Sequence, residues 1–111
     1  MDRRAKYRPQ APFKVEPVEL TLEDGEKVTT YVREMTLGDR NRLLGRLNDY
    51  PHGVLVIRYC ECEADGKPAW TDADFPFLEG LRLQQFGKLI EAGIAVNRMA
   101  EPESIDEAKN G

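Results

Sequence analysis

Val18-Glu19-Leu20-Thr21-Leu22 and Val28-Thr29-Thr30-Tyr31-Val32, joined through Glu23-Asp24-Gly25-Glu26-Lys27, are the stretch on which the fold turns. Apolar residues recur at every second position on both sides of Asp24-Gly25, which is the period of a half-buried strand. Asp-Gly supplies the positive φ angles of a tight turn, so residues 18–33 are predicted to form a β-hairpin. Pro17 has no N–H to give to a ladder, which confines the first strand to a sheet edge or delays its start. A two-stranded ribbon with one apolar face is marginal alone, so it must pack on helices or on a neighbouring subunit.

Helical signals follow the hairpin. Thr36 reads as an N-cap with Asp39 three residues on, and Leu37, Leu43, Leu44 and Leu47 recur at roughly helical spacing, predicting a helix over 37–49 that Pro51-His52-Gly53 ends. Residues 53–63 carry two signals. Val54, Val56 and Ile57 favour a strand, while Leu55, Tyr59 and Cys62 fall on a helical stripe. Pro51 before and Asp65-Gly66 after are helix-boundary residues, so a helix over 53–63 is the favoured reading and a strand stays open. Lys67-Pro68-Ala69-Trp70 reads as a turn and an extended piece that carries Trp70 to the core as a structural anchor. Thr71 and Asp74 repeat the capping pattern and predict a short helix over 71–78. Beyond Gly80, the residues Leu81, Phe86, Leu89, Ile90, Ala92, Ile94 and Asn97 give the clearest amphipathic helix of the chain, over 81–98. The fold class is therefore α+β and mainly α-helical, with an N-terminal hairpin and about four helices.

With 111 residues the chain has room for one small core, assigned to residues 15–98. Residues 1–14 carry Arg3, Arg4, Lys6, Arg8 and Lys14 against Asp2 and read as a flexible basic arm; residues 99–111 carry Glu101, Glu103, Asp106 and Glu107 against Lys109 and read as a flexible acidic tail. Without a recognition motif, and with a sequence pI near 5.1, nucleic acid is not an expected partner. The longest apolar run, residues 54–57, is far short of a membrane span, so neither membrane insertion nor export is expected. Cys60 and Cys62 stand too close to close a useful loop, which fits a reducing cytoplasm, and they read as small buried hydrophobes. They could form half a zinc site at most, and His52, in a turn, has no second histidine to complete one. Asp24, Asp65, Asp72 and Asp74 each have a role at a turn or cap, and no nucleophile or phosphate-cradling motif is present. The expectation is no metal, no cofactor and no catalytic residue: an interaction protein and not an enzyme. The helix over 81–98 has more apolar positions than so small a core needs, which makes Leu81, Phe86, Leu89, Ile90 and Ile94 the candidate partner-binding residues.

Tyr31-Val32-Arg33-Glu34-Met35-Thr36, then Asp65-Gly66-Lys67-Pro68 with Trp70-Thr71 and Asp74, then Ala92 with Asn97, resemble in order and spacing the tail assembly chaperones of long-tailed bacteriophages. The resemblance spans about residues 31–110. It implies a chaperone in the cytoplasm of the bacterial host that binds the helical, aggregation-prone tape measure protein, brings tail tube subunits to it, and is absent from the mature virion. It also implies weak self-association. Ala108-Lys109-Asn110 is compatible with the slippery heptamer A-AAA-AAC, on which a programmed −1 frameshift would make a longer form of such a protein. The alternative function is a minor structural tail or connector protein retained in the virion, and a small metal or redox enzyme built on Cys60 and Cys62 is a third.

Overall fold

The computed structural model describes residues 2–7 and 13–98. The acidic tail over 99–111 lies outside the described residues, as does part of the basic arm. Element order is α1 (Arg3–Tyr7), β1 (Val15–Thr21), β2 (Lys27–Arg33), α2 (Leu37–Gly45), α3 (His52–Cys60), β3 (Glu61–Cys62), a 3-10 turn (Asp72–Asp74), α4 (Phe75–Glu79) and α5 (Leu83–Val96). The fold is α+β and helix-rich, with the hairpin first.

The hairpin forms where the two-residue period places it. Val18 pairs with Thr30 and Leu20 with Val28, and Gly25 takes φ +85° in the turn. β1 begins at Val15, before Pro17, and occupies the edge of a sheet ordered β1-β2-β3. The Leu22 N–H donates to the Glu26 carbonyl and the Glu34 N–H to the Lys14 carbonyl, so the even-numbered residues of β1 face β2. Pro17 therefore lies on the outward row, where a missing N–H costs nothing internally and blunts the edge against another strand. The arm is tied to the sheet at its end. The Lys14 N–H donates to Glu34 Oε1 at 2.9 Å, and the Arg33 guanidinium lies 4.3 Å over the Phe13 ring.

Val18, Leu20 and Val32 line the inner face of the sheet and pack under α5, which lies in turn on α3. α3 is the central helix: Leu55, Val56, Ile57, Tyr59 and Cys60 are all buried. A helix buried on several sides loses its periodicity, which is why residues 53–63 carried a mixed signal. The structure corrects the 53–63 helix at its end. The helix stops at Cys60, and Glu61–Cys62 becomes a third strand, with Tyr31 opposite Cys62 and Val32 opposite Glu61. Glu61 is held there because its carboxylate accepts from Thr30 Oγ1 and from Trp70 Nε1, both at 2.6 Å.

The other helices are shorter than predicted. α2 is capped by Thr36, whose hydroxyl accepts from the Asp39 N–H as the sequence indicated, but it ends at Gly45 and gives way to turns over 46–49. The helix expected over 71–78 is divided. Thr71 and Asp74 form the expected capping box around the 3-10 turn, and α4 restarts with Pro76 in its first turn, the one place a helix admits proline. α5 runs Leu83–Val96, with Asn97 as its C-cap, in place of 81–98. Trp70 stands at the margin of the core and is only partly buried, its ring tilted against Phe77. The deepest positions of the core belong to Leu55, Leu78 and Leu89.

Two glycines set the spacing of α3 and α5. A Cβ on Gly53 would lie 2.7 Å from Ile90 Cδ1, and one on Gly93 would lie 2.7 Å from Val56 Cγ1 and 3.3 Å from Cys60 Cβ. The contacts 53 to 90, 56 to 93 and 60 to 97 show two helices running in the same direction along a close seam. Gly93→Ala is expected to lose about 1–2 kcal/mol, because overpacking at the seam outweighs the better helix propensity of alanine. Gly87 in the same helix meets only Leu83 Cδ1 at 3.7 Å. Gly87→Ala is expected to gain up to about 1 kcal/mol, so urea titrations of the two variants should show midpoint shifts of opposite sign.

Candidate partner-binding groove

The seam leaves a groove on the molecular surface where α3 begins. One wall is Pro51, Gly53, Val54 and Ile57; the other is Leu81, Leu83, Phe86 and Ile90, with Leu78 and Glu79 closing the end. The groove holds about 300 Å³ and is mostly apolar. Each wall has a local cause. Pro51 is the N-cap of α3 and Gly53 lets Ile90 lie close, while Gly80 and Leu81 donate to Phe77 and Leu78 carbonyls and so turn the chain sharply between α4 and α5. Leu83 at the rim is 75% exposed, and Phe77, beside Trp70, is 60% exposed. Among the described residues, the charged pair at the rim joins Arg82 to Glu23 of the hairpin turn at 2.7 Å; both side chains are exposed, so the pair adds little stability.

Of the five candidate residues, the structure brings Leu81, Phe86 and Ile90 together in this groove. Leu89 is placed elsewhere: at 1% exposure it belongs to the core. Ile94 packs against the core without lining the groove. One helical stripe had merged two faces, since residues at i, i+3 and i+4 span an arc wide enough to touch both the interior and a groove. Leu83, three residues before Phe86 and seven before Ile90 and so on the same face of α5, is a groove residue that the candidate set lacks, although the helical spacing carried its signal. Pro51, Gly53 and Val54 had been read as boundary or core, and only the tertiary fold shows them facing α5.

The remaining polar residues serve the architecture. The Asn97 carboxamide accepts from the Met35 N–H at 2.6 Å and donates to the carbonyls of Arg33 and Gly93 at 3.2 and 2.9 Å. Its signal was readable: Leu89, Gly93 and Asn97 are spaced i, i+4, i+8, which puts an amide on the buried stripe of an amphipathic helix. Arg33 bridges the Gly66 carbonyl and Asp39, and Asp72 receives Arg46 and Arg58, each at 2.9 Å. Burial pushes the Asp72 carboxyl up, but the hydrogen bonds from Arg58 and Arg46 outweigh it and leave the group below its ordinary pKa. His52 is exposed at the start of α3.

Among the described residues no three His, Cys, Asp or Glu side chains converge to hold a metal ion, and no helix is long and apolar enough to cross a membrane. Both thiols are free and buried. Burial pushes Cys60 up to about 12 and raises Cys62 as well, with the Arg33 charge only partly opposing it.

With the sheet, the seam and the groove in place, the architecture can be compared with known proteins. The chain shares its fold with the tail assembly chaperone of bacteriophage HK97. The two structures superpose with a TM-score of 0.63 over 89% of this chain and 95% of the chaperone, at 15% sequence identity. No protein-family model and no curated protein matches the sequence. At this identity the likeness is one of architecture.

Buried neutral thiols are poor nucleophiles. A maleimide at pH 8 is expected to leave the native protein unlabelled over an hour and to modify two thiols per chain in guanidinium. Rapid labelling of the native protein would contradict the burial described here.

Proposed function

We propose that this protein is a phage tail assembly chaperone, acting in the cytoplasm of the bacterial host, and that the groove between α3 and α5 receives an apolar helical stripe of the tape measure protein. The observation that carries this reading is the likeness in fold to the HK97 chaperone, which extends over almost all of that protein. The groove supplies the means. A long tape measure helix exposes apolar side chains before the tail tube surrounds it, and a rigid apolar groove rimmed by Leu83 and Phe86 can cover them as a helix-in-groove contact. Binding of this kind uses packing alone, with no cofactor and no reaction. A second contact, with tail tube subunits, completes the proposed role, and the chaperone then leaves before the virion matures.

Weak self-association belongs to the same reading. The blunted β1 edge argues against strand addition as its basis, so the groove rim around Phe86 is the proposed contact.

Co-expression with the tape measure protein of the same phage or prophage tests the proposal. The wild-type chain is expected to keep the tape measure protein soluble and to co-purify with it. Leu83→Glu, on an exposed side chain, is expected to weaken that binding at least tenfold with unchanged thermal stability. The protein should also be absent from the mass spectrum of purified virions. Retention at stoichiometric level would support a structural tail protein instead. In sedimentation, Phe86→Asp is expected to remove any concentration-dependent association.

A further inference from the structure

We propose that the groove between α3 and α5 selects a partner helix that carries two apolar side chains one turn apart and a Lys or Arg in the turn beyond them. This rests on the reading that a partner helix occupies the groove, and adds the chemistry by which that helix is recognised. The groove volume of about 300 Å³ equals about two of the roughly 150 Å³ cavities that each hold one benzene-sized group, so it seats two large apolar side chains. Its length agrees. Leu83 and Ile90 stand seven residues apart in α5, about 10 Å along the axis, which is two turns of a helix laid beside it. Apolar residues at i and i+4 of such a helix therefore fill the groove, and its next turn passes the groove end.

That end is acidic. Glu79, the last residue of α4, lines the groove at the Leu83 end and has no ion-pair partner among the described residues. The 2.7 Å bond between Arg82 and Glu23 draws the hairpin turn against the same rim, and the turn adds the exposed Asp24 and Glu26, which likewise have no ion-pair partner among the described residues. Lys27 is engaged by Glu19 across the hairpin at 3.7 Å. Against these four carboxylates stand the Arg82 guanidinium and the N-terminus of α5, the latter equivalent to about half a charge. The facing wall of Pro51, Gly53, Val54 and Ile57 carries no charge. The lip therefore attracts a base and repels an acid on a helix whose apolar residues are seated, and a Debye length of about 8 Å confines this selection to close range.

Two fluorescent, alanine-based helical peptides test this on the full chain. Both carry two Leu residues one turn apart; one peptide has Lys a turn beyond the pair on either side, the other has Glu at the same places. The Lys peptide is expected to bind about three- to tenfold more tightly at low salt. The difference should vanish at high salt, where screening shortens the range to about 3 Å. Glu26→Lys together with Glu79→Lys, at two exposed positions, should reverse the order. Equal binding of the peptides, binding of neither, or a Lys preference that survives the double reversal would overturn the proposal. A Lys preference without co-purification of the tape measure protein would uphold this inference and contradict the proposed partner, whereas co-purification with no preference would overturn this inference and leave the proposed function standing.

Discussion

The Asn97 carboxamide uses its oxygen on the Met35 N–H and its amide hydrogens on the carbonyls of Arg33 and Gly93, with Cys60 Sγ 3.4 Å away. It thereby joins the end of α5 to the end of β2 and to the end of α3. Each bond adds only about 0.5–1.5 kcal/mol net, but a backbone group stripped of its partner in a low-dielectric setting costs about 1–3 kcal/mol. The contact therefore matters most as a constraint on register. With its last residue fixed, α5 cannot slide along the sheet, and Gly93 and Ile90 must meet Val56 and Gly53. The groove is the open end of that seam, so its width follows from an amide some two turns away.

The residues that suggested a tail assembly chaperone are largely members of this frame. Arg33 binds the Gly66 carbonyl, which ties the Asp65-Gly66 turn to β2; Trp70 donates to Glu61, which Thr30 also holds; Thr71 and Asp74 cap the approach to α4. Their order in sequence reflects how strand ends, turns and helix ends interlock. The apolar walls of the groove need only be apolar and of suitable volume, so their identities can drift while the frame is kept.

What could be read from sequence was whatever local chemistry decides. Asp24-Gly25 gave the turn, Pro17 the edge, and Thr36 and Thr71 the helix starts, because turns and caps depend on residues within four positions of one another. The end of α3 was not legible, since a central helix that passes straight into a two-residue strand has no polar face to keep its period and the pairing partner is some 30 residues away. The seam was missed for a related reason: Gly53 and Gly93 carry no signal until the helices meet. Of the candidate site, Leu81, Phe86 and Ile90 were accessible from the amphipathic stripe of α5, whereas separating them from Leu89 required knowing that the same helix is covered by the sheet on one side and by α3 on another.

The central claim is that the groove between α3 and α5 seats a partner helix. Hydrogen–deuterium exchange of the chain alone and in complex with the tape measure protein tests it most directly. The account predicts added protection in residues 51–57 and 78–90, with the hairpin turn at 22–26 unchanged. A stable complex whose protection falls on the outer face of the sheet, with residues 51–57 and 78–90 exchanging as in the free chain, would contradict it.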